Sequence, residues 1–211
     1  MQRGLYGRAE SPYNAAYLTS AYGSGSSNGS GTSVAASFAA FGLGEETWSS
    51  GRAPATNNAL CAYTPSRGVI SVRGNWPLVP TMDVVVPHTR TMADMAEVLD
   101  VIVADDADPR GDLWRMQPWI TIPRASAIRP KSYRALLPTD SEAARNTLVG
   151  KRFGVPRMYV NADQSAGVGA GLGIGGSTGQ RIDTRQSVID LFQAAAADLI
   201  AAGADVVLVD F

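Results

Sequence analysis

The C-terminal part of the chain holds the pattern that most constrains the fold: a strand, a helix and a second strand in succession. Residues 151–160 predict the first strand. Residues 188–202 repeat apolar side chains at helical spacing, with Ser187 as the predicted N-cap and Gly203 as the stop. Residues 205–211 are so apolar that we expect a strand buried on both faces, as in a parallel sheet. The pattern predicts one βαβ unit and therefore an α/β fold.

The residues before this unit predict further strands and one more helix. Strands are expected at 59–64, 68–72 and 83–86, and residues 42–52 are expected to be rich in turns. Thr91 and Asp94 form a capping box that starts a helix reaching Ala104. Residues 105–150 carry five prolines, and we interpret them as an irregular excursion within one domain that spans 1–211.

The charge balance argues against a strongly charged partner. With 18 Lys and Arg against 19 Asp and Glu, the formal net charge is −1, so we expect no binding to nucleic acid or to an anionic membrane. One Cys and one His argue against a disulfide framework or a metal site of those residue types, and neither a metal nor a cofactor is expected. No apolar stretch approaches the roughly 18 residues of a membrane span. The first ten residues lack a leader pattern, so a cytoplasmic location is expected.

Two short motifs suggest other chemistries, and each lacks its structural context. Residues 25–29 read G-x-S-x-G, the pattern of an α/β-hydrolase-type esterase with Ser27 as nucleophile and Asp83 and His88 as partners. That fold needs a strand directly before the motif, and the residues before Gly25 do not predict one. A G-x-G-x-x-G run at 171–176 follows the predicted strand by about ten residues, too far for a dinucleotide-binding turn. The esterase is kept as a less favoured alternative.

A pair of serine-bearing loops is the strongest constellation in the sequence. Residues 23–31 contain only Gly, Ser and Asn and run into an apolar, helix-like stretch at 34–41. Such a tract is typical of a flexible linker, yet a Ser/Gly loop that feeds a helix N-terminus can also cradle an anion. Ser26 in this loop and Ser50 after the helix are 24 residues apart, so their hydroxyls and several backbone N–H groups can meet.

The residues around these serines resemble the amidase signature family. SGSSNGS at 24–30 and GEETWSSGRAPA at 44–55 are similar to the family patterns G-G-S-S-G-G-S and G-T-D-x-G-G-S-x-R-x-P-A, with the same serine spacing. The similarity continues through 64–68, 81–87 and 90–94, and more weakly through 154–156 and the last helix and strand. The resemblance implies a mixed β-sheet core flanked by helices. It also implies hydrolysis of a carboxamide C–N bond through a serine acyl-enzyme.

The resemblance further implies roles for individual residues, in a Ser–cis-Ser–Lys triad. Ser50 would be the nucleophile, and Ser26 would be the bridging serine with a cis peptide bond. The oxyanion hole would be formed by the backbone N–H groups of the turn before and at the nucleophile, namely Thr47, Trp48, Ser49 and Ser50. Three further residues would support the loops, namely Ser27, Glu46 and Arg52.

Three departures from the family pattern lower the expected activity. Residues 1–25 contain no Lys, and Lys131 and Lys151 lie downstream, where the family has no catalytic Lys. The family's Gly-Gly before the nucleophile is Trp48-Ser49 here, and a Trp held at positive φ would be strained. Trp48 could instead line the acyl pocket. The chain also stops right after a buried-type strand, whereas family chains continue.

We therefore expect an internal portion of an amidase, incomplete at both ends and weakly active or inactive alone. The alternative is a non-catalytic amidase remnant that acts as a binding module. The expected partner is a small-molecule amide, and a homodimer is left open.

Overall fold

The structure, a computed structural model, describes residues 7–21, 23–162 and 183–210. Its internal contacts divide the chain into two units, Met1–Leu137 and Pro138–Phe211. The glycine-rich run at 171–176 lies outside the described residues. Both serine-bearing loops belong to the first unit, so that unit positions the candidate site.

A three-stranded antiparallel sheet forms the centre of the first unit. Its strands are β1 (Phe41–Glu46), β2 (Cys61–Ala62) and β3 (Val84–Thr89), in the order β1-β3-β2. The register of β1 and β3 runs from Phe41 opposite Thr89 to Glu46 opposite Val84. All six residues of β3 are buried, because β3 is the middle strand and helices pack against it.

Helices cover this sheet and continue along the chain. They are α1 (Asn28–Ala35), α2 (Arg52–Asn57), α3 (Met92–Ile102), α4 (Leu113–Met116) and α5 (Ala125–Ile128), followed by a 3-10 turn at Arg134–Leu136. Met95 and Leu99 of α3 pack with Val85 of β3 in the buried core. Thr91 caps α3, because its hydroxyl accepts a hydrogen bond from the backbone N–H of Asp94. The predicted capping box is therefore confirmed.

The second unit contains the predicted strand–helix–strand pattern. Its elements are α6 (Ser141–Leu148), β4 (Arg152–Pro156), a 3-10 turn at Arg157–Val160, α7 (Gln186–Ala201) and β5 (Asp205–Val209). β4 and β5 pair in parallel, with Arg152 opposite Asp205 and Pro156 opposite Val209. The βαβ prediction and the α/β fold class are confirmed.

The turn-rich interpretation of residues 42–52 is wrong for residues 42–46, which belong to β1, and it holds for the turn at 47–51. Gly42 and Gly44 suggested turns, but both lie where a neighbouring side chain fills the space of a Cβ. A Cβ on Gly42 would come within 2.4 Å of the Ser30 hydroxyl, and one on Gly44 would come within 2.9 Å of Ser27. Glycine inside a strand here marks a close approach of α1.

Other local predictions also differ from the structure. β5 is not buried on both faces, since three of its five residues are exposed and the other two are half-buried. Ser187 caps nothing, because α7 begins one residue before it and its N-cap is Arg185. The strand expected at 68–72 is reduced to an isolated bridge between Arg67 and Ile70. The stretch 105–150 is less irregular than expected, since α4, α5 and α6 lie in it.

No helix among the described residues is long and apolar enough to cross a membrane.

Replacing Met95 by Ala tests the packing of α3 on β3. Met95 is fully buried, so the change leaves a cavity and should lower the free energy of unfolding by about 2–5 kcal/mol. Met92 lies on the same helix and is 56% exposed, so Met92→Ala should change that free energy by less than about 1 kcal/mol. Urea denaturation of the two variants measures the difference, and equal losses would contradict this packing.

Candidate active site

The start of α1 is joined directly to β1 by one serine. The Ser27 hydroxyl donates to the backbone carbonyl of Glu45 at 3.0 Å and accepts from the backbone N–H of the same residue at 2.9 Å. Gly25 precedes it with φ +105°, and a Cβ there would lie 2.3 Å from Ser20 Cβ, so only glycine fits this turn. The serine-rich loop is therefore an ordered part of the fold in this structure and not a flexible linker.

The turn that follows β1 is closed by a buried carboxylate. Glu46 Oε2 accepts hydrogen bonds from the backbone N–H groups of Gly51 at 3.2 Å and Arg52 at 2.9 Å. The other oxygen, Oε1, lies 3.2 Å from Arg52 Nε. The Arg52 guanidinium also donates to the carbonyl of Trp48. These contacts hold both ends of the turn that carries Ser50.

Four consecutive backbone N–H groups in this turn are left without a protein partner. Within the described residues, the amides of Thr47, Trp48, Ser49 and Ser50 donate to no acceptor. A run of unpaired N–H donors beside a serine hydroxyl can receive a negatively charged oxygen.

The substitution of Trp48 and Ser49 for two glycines does not strain the turn. Neither residue is among the described non-glycine residues with positive φ, which are Ser37, Ala59 and Asn161. The strain expected for a Trp at this position is therefore absent. Trp48 is 58% exposed, so its side chain points away from the packed interior.

The two serines singled out from the sequence are not hydrogen-bonded to each other. Ser50 is buried at 7% exposure and Ser26 is exposed, and neither hydroxyl has a hydrogen-bond partner among the described residues. The two loops meet instead through a hydrogen bond between the hydroxyls of Ser24 and Ser49. Sequence reasoning missed this pair, although both serines stand where the family pattern has glycine.

The cis peptide bond expected at Ser26 is absent, since the described residues contain none. A cis bond before a residue other than proline costs about 3–4 kcal/mol, so it forms only where the surrounding structure enforces it. Here Ser26 is exposed, and the positive φ of Gly25 is what turns the chain.

A second buried carboxylate braces the turn from the other side. Asp83 Oδ1 accepts from the Thr47 hydroxyl at 2.6 Å. Asp83 Oδ2 accepts from the backbone N–H groups of Leu78 and Val79, each at 2.9 Å. Asp83 thus ties the turn to the loop before β3.

The esterase triad considered from the sequence is not assembled. The only histidine, His88, bonds to Ser30 and to the carbonyl of Gly51, and not to Ser27. The Ser27 hydroxyl is committed to the backbone of Glu45. Asp83 serves Thr47 and two backbone amides and has no hydrogen bond to His88. The esterase alternative is therefore wrong for this arrangement.

An open cleft of about 330 Å³ borders the start of α1. Its lining includes Ser27, Glu45, Asn75 and Trp76. Burial raises the pKa of the Glu45 carboxyl, and repulsion from Asp83 raises it further, against the opposing effect of a hydrogen bond with Asn75. The cleft thus offers hydroxyl, carboxyl and amide groups beside the serine-rich loop. Among the described residues no cluster of His, Cys, Asp and Glu could hold a metal ion.

Comparison with known proteins gives one family and several relatives. A family model described as Amidase matches residues 2–168. The chain is 40% identical over 104 residues to a probable amidase of Arabidopsis thaliana, a match that covers 49% of this chain and 19% of that protein. It is 30% identical over 169 residues to a glutamyl-tRNA(Gln) amidotransferase subunit from Dehalococcoides mccartyi, covering 78% of this chain and 30% of that protein.

The solved structures include a similar fold. The native peptide amidase from Stenotrophomonas maltophilia matches with a TM-score of 0.62 and 28% sequence identity. The match covers 97% of this chain and 33% of that one. The chain therefore spans at most about a third of the length of these relatives.

Substitution of Asp83 tests whether its carboxylate braces the turn. In Asp83→Ala, the Thr47 hydroxyl and two backbone amides lose their acceptor, so the free energy of unfolding should fall by about 2–4 kcal/mol. In Asp83→Asn, the amide oxygen still accepts from the backbone and the amide N–H₂ can donate to Thr47, so the loss should stay near 1 kcal/mol. Urea denaturation compares the two, and a loss in Asp83→Asn as large as in Asp83→Ala would argue against this network.

Proposed function

The chain belongs to the amidase family, and from that premise we propose that its serine-rich loop and the turn after β1 form the acyl-transfer site of a serine amidase. The substrate class is a carboxamide, and the bond cleaved is its C–N bond. The observation that carries this proposal is the run of four unpaired backbone N–H groups that ends at Ser50. The activity, substrate and partners of the whole protein are part of the proposal.

In the proposed first step, the Ser50 oxygen attacks the carbonyl carbon of the amide. The hydroxyl proton must leave as the bond forms, because a neutral hydroxyl is a poor nucleophile. The carbonyl oxygen becomes negatively charged and is received by the unpaired amides of the turn. One such donor typically stabilises the transition state by about 3 kcal/mol.

In the second step the tetrahedral intermediate collapses and the C–N bond breaks. The leaving amine takes up the proton that left the Ser50 hydroxyl in the first step, and Ser50 is left as an ester of the acyl group. Attack by water on this ester then releases the carboxylic acid and restores the hydroxyl. Ser26 is proposed to relay the proton, since it lies in the adjoining loop and its hydroxyl has no other partner among the described residues.

The mechanism also requires a base that accepts the proton from Ser26. No titratable side chain among the described residues hydrogen-bonds to Ser26 or Ser50. Loss of a catalytic base typically costs orders of magnitude in rate, so we expect this chain alone to react slowly. The same observation favours the second candidate function, a module that binds a carboxamide without cleaving it.

A serine-directed fluorophosphonate probe tests the assignment of Ser50. We expect peptide mapping to place the label on Ser50, and Ser50→Ala to abolish it, because the probe reacts with an activated hydroxyl beside oxyanion donors. Ser66→Ala, at an exposed serine outside both loops, is the matched control and should label as the parent chain does. A label on Ser27 or Ser49 would refute the assignment. Absence of label on folded protein that still binds a carboxamide would favour the binding module.

The relay role of Ser26 predicts a slower reaction when its hydroxyl is removed. In Ser26→Ala the rate of Ser50 labelling should fall severalfold, which is less than the roughly 10²-fold of a complete general base because no base hydrogen-bonds to Ser26 among the described residues. Ser26 is exposed and has no hydrogen bond among the described residues, so the free energy of unfolding should change by less than about 0.5 kcal/mol. An unchanged labelling rate would remove Ser26 from the mechanism.

A further inference from the structure

The imidazole of His88 is fully buried in the middle strand β3 and has both nitrogens engaged. Nε2 lies 2.8 Å from the carbonyl oxygen of Gly51, and Nδ1 lies 3.0 Å from the hydroxyl of Ser30. A carbonyl oxygen can only accept, so Nε2 must carry the hydrogen. In a neutral ring Nδ1 then accepts from the Ser30 hydroxyl, and a single tautomer satisfies both partners.

Two glycines of β1 pack closely against the ring and its partner Ser30. Gly42 pairs with His88 across the sheet, and a Cβ on Gly42 would lie 2.4 Å from the Ser30 hydroxyl. A Cβ on Gly44 would lie 3.0 Å from Cε1 of the ring. The two strand glycines thus make the space in which the fully buried His88 meets Ser30.

The residue that His88 binds is the one directly after Ser50. Gly51 is held from two sides, since its N–H donates to Glu46 at 3.2 Å and its carbonyl accepts from His88 at 2.8 Å. A Cβ on Gly51 would lie 2.6 Å from Val86, so the backbone itself packs on β3. A displacement of this peptide would move the Ser50 hydroxyl and the amides of the turn with it.

We propose that His88 is a positioning residue for the reaction, which fixes the Ser50 turn by donating from Nε2 to Gly51 while Nδ1 is held by Ser30. It touches no substrate and acts through the backbone of Gly51. The effect of His88 on the reaction of Ser50 rests on the proposed function, which we call the kinetic part. The fixing of Gly51 by the His88 hydrogen bond, the structural part, does not. No hydrogen bond links His88 to Ser27 or Ser50, which separates this role from that of a general base.

The His88 ring should be neutral in the folded chain at neutral pH. Burial lowers the pKa of His88 below its ordinary value of 6.5, more than the Gly51 carbonyl and the charge of Glu46 raise it. The titratable groups on the elements around β3 are Glu45 and Glu46 of β1, Cys61 of β2, Arg52 of α2 and the acidic residues Asp94, Glu97 and Asp100 of α3, and α1 has none.

The direction of the pH effect follows from this lowered pKa. As the pH falls, the histidine of the unfolded chain takes up a proton near its ordinary pKa of 6.5, before the buried ring does. The contribution of the neutral ring to the free energy of unfolding is therefore fully present well above pH 6.5 and is lost as the pH drops below that value.

Nuclear magnetic resonance of the ring tests the structural part without any activity. The sequence has one histidine, so its ring signals are unambiguous. We expect the neutral Nε2–H tautomer and a titration midpoint below the ordinary pKa of 6.5. The Nδ1–H tautomer, or a midpoint at or above that value, would overturn the proposal.

A matched pair of substitutions tests the positioning. In His88→Gln, the side-chain amide can donate to Gly51 and accept from Ser30 but does not titrate. In His88→Met, the side chain fills similar space and cannot donate. At neutral pH we expect exchange of the hydrogen-bonded amides of residues 51–53 to stay as in the parent chain for His88→Gln, and to accelerate about tenfold or more for His88→Met.

The labelling of Ser50 by the fluorophosphonate probe adds the kinetic part. His88→Gln should label within about twofold of the parent chain and lose its acid-side dependence on ring protonation, whereas His88→Met should label at least tenfold more slowly. Equal exchange and equal labelling in the two variants would overturn the proposal. If the parent chain does not label while the tautomer and exchange results hold, the proposed function fails and the positioning of Gly51 stands.

Discussion

The close approach of α1 to β1 is the contact on which the rest of the candidate site depends. Gly42 and Gly44 carry no side chains, and Ser30 and Ser27 occupy the space this leaves. Ser27 then bonds both backbone groups of Glu45, which lies in an edge strand of the sheet. Any larger residue at either glycine would push the serine-rich loop away from the turn after β1. The two loops would then no longer share a site.

Polar groups buried around the turn explain how it keeps its shape. Glu46, Asp83 and His88 are almost or fully inaccessible, and each has its hydrogen-bonding capacity directed at the turn or at its neighbours. A satisfied buried network is rigid, because breaking one bond leaves a group unpaired away from water. Against this background the unpaired amides of residues 47–50 stand out. In the proposed function these unpaired amides are the donors that receive the negatively charged oxygen.

Local signals in the sequence predicted local structure well, and contacts between distant residues escaped them. The Thr91–Asp94 capping box could be predicted because both of its residues lie in one turn of chain. The strand β1 was missed because glycine in a sequence usually indicates a turn. Here Gly42 and Gly44 instead leave space for the side chains of α1 and its N-cap, a contact that the sequence alone does not show. The pairing of His88 with Gly51 spans 37 positions, so no sequence pattern could predict it. His88 and Asp83 could be identified as candidate site residues from the sequence. The hydrogen-bond partners that tie them to the turn could not, because those partners lie 36 or more positions away.

The hydrogen bond between the Ser24 and Ser49 hydroxyls connects the two serine-bearing loops. It joins the loops at two positions where the family pattern has glycine, and so neither Ser26 nor Ser50 is needed to hold them together. Both of these hydroxyls stay free to exchange protons, since neither has a partner among the described residues. A free hydroxyl is not yet a nucleophile, because its proton must first find an acceptor. In the proposed mechanism the turn supplies the oxyanion donors and Ser50 the attacking group, so the rate depends on the group that reaches Ser26 to take that proton.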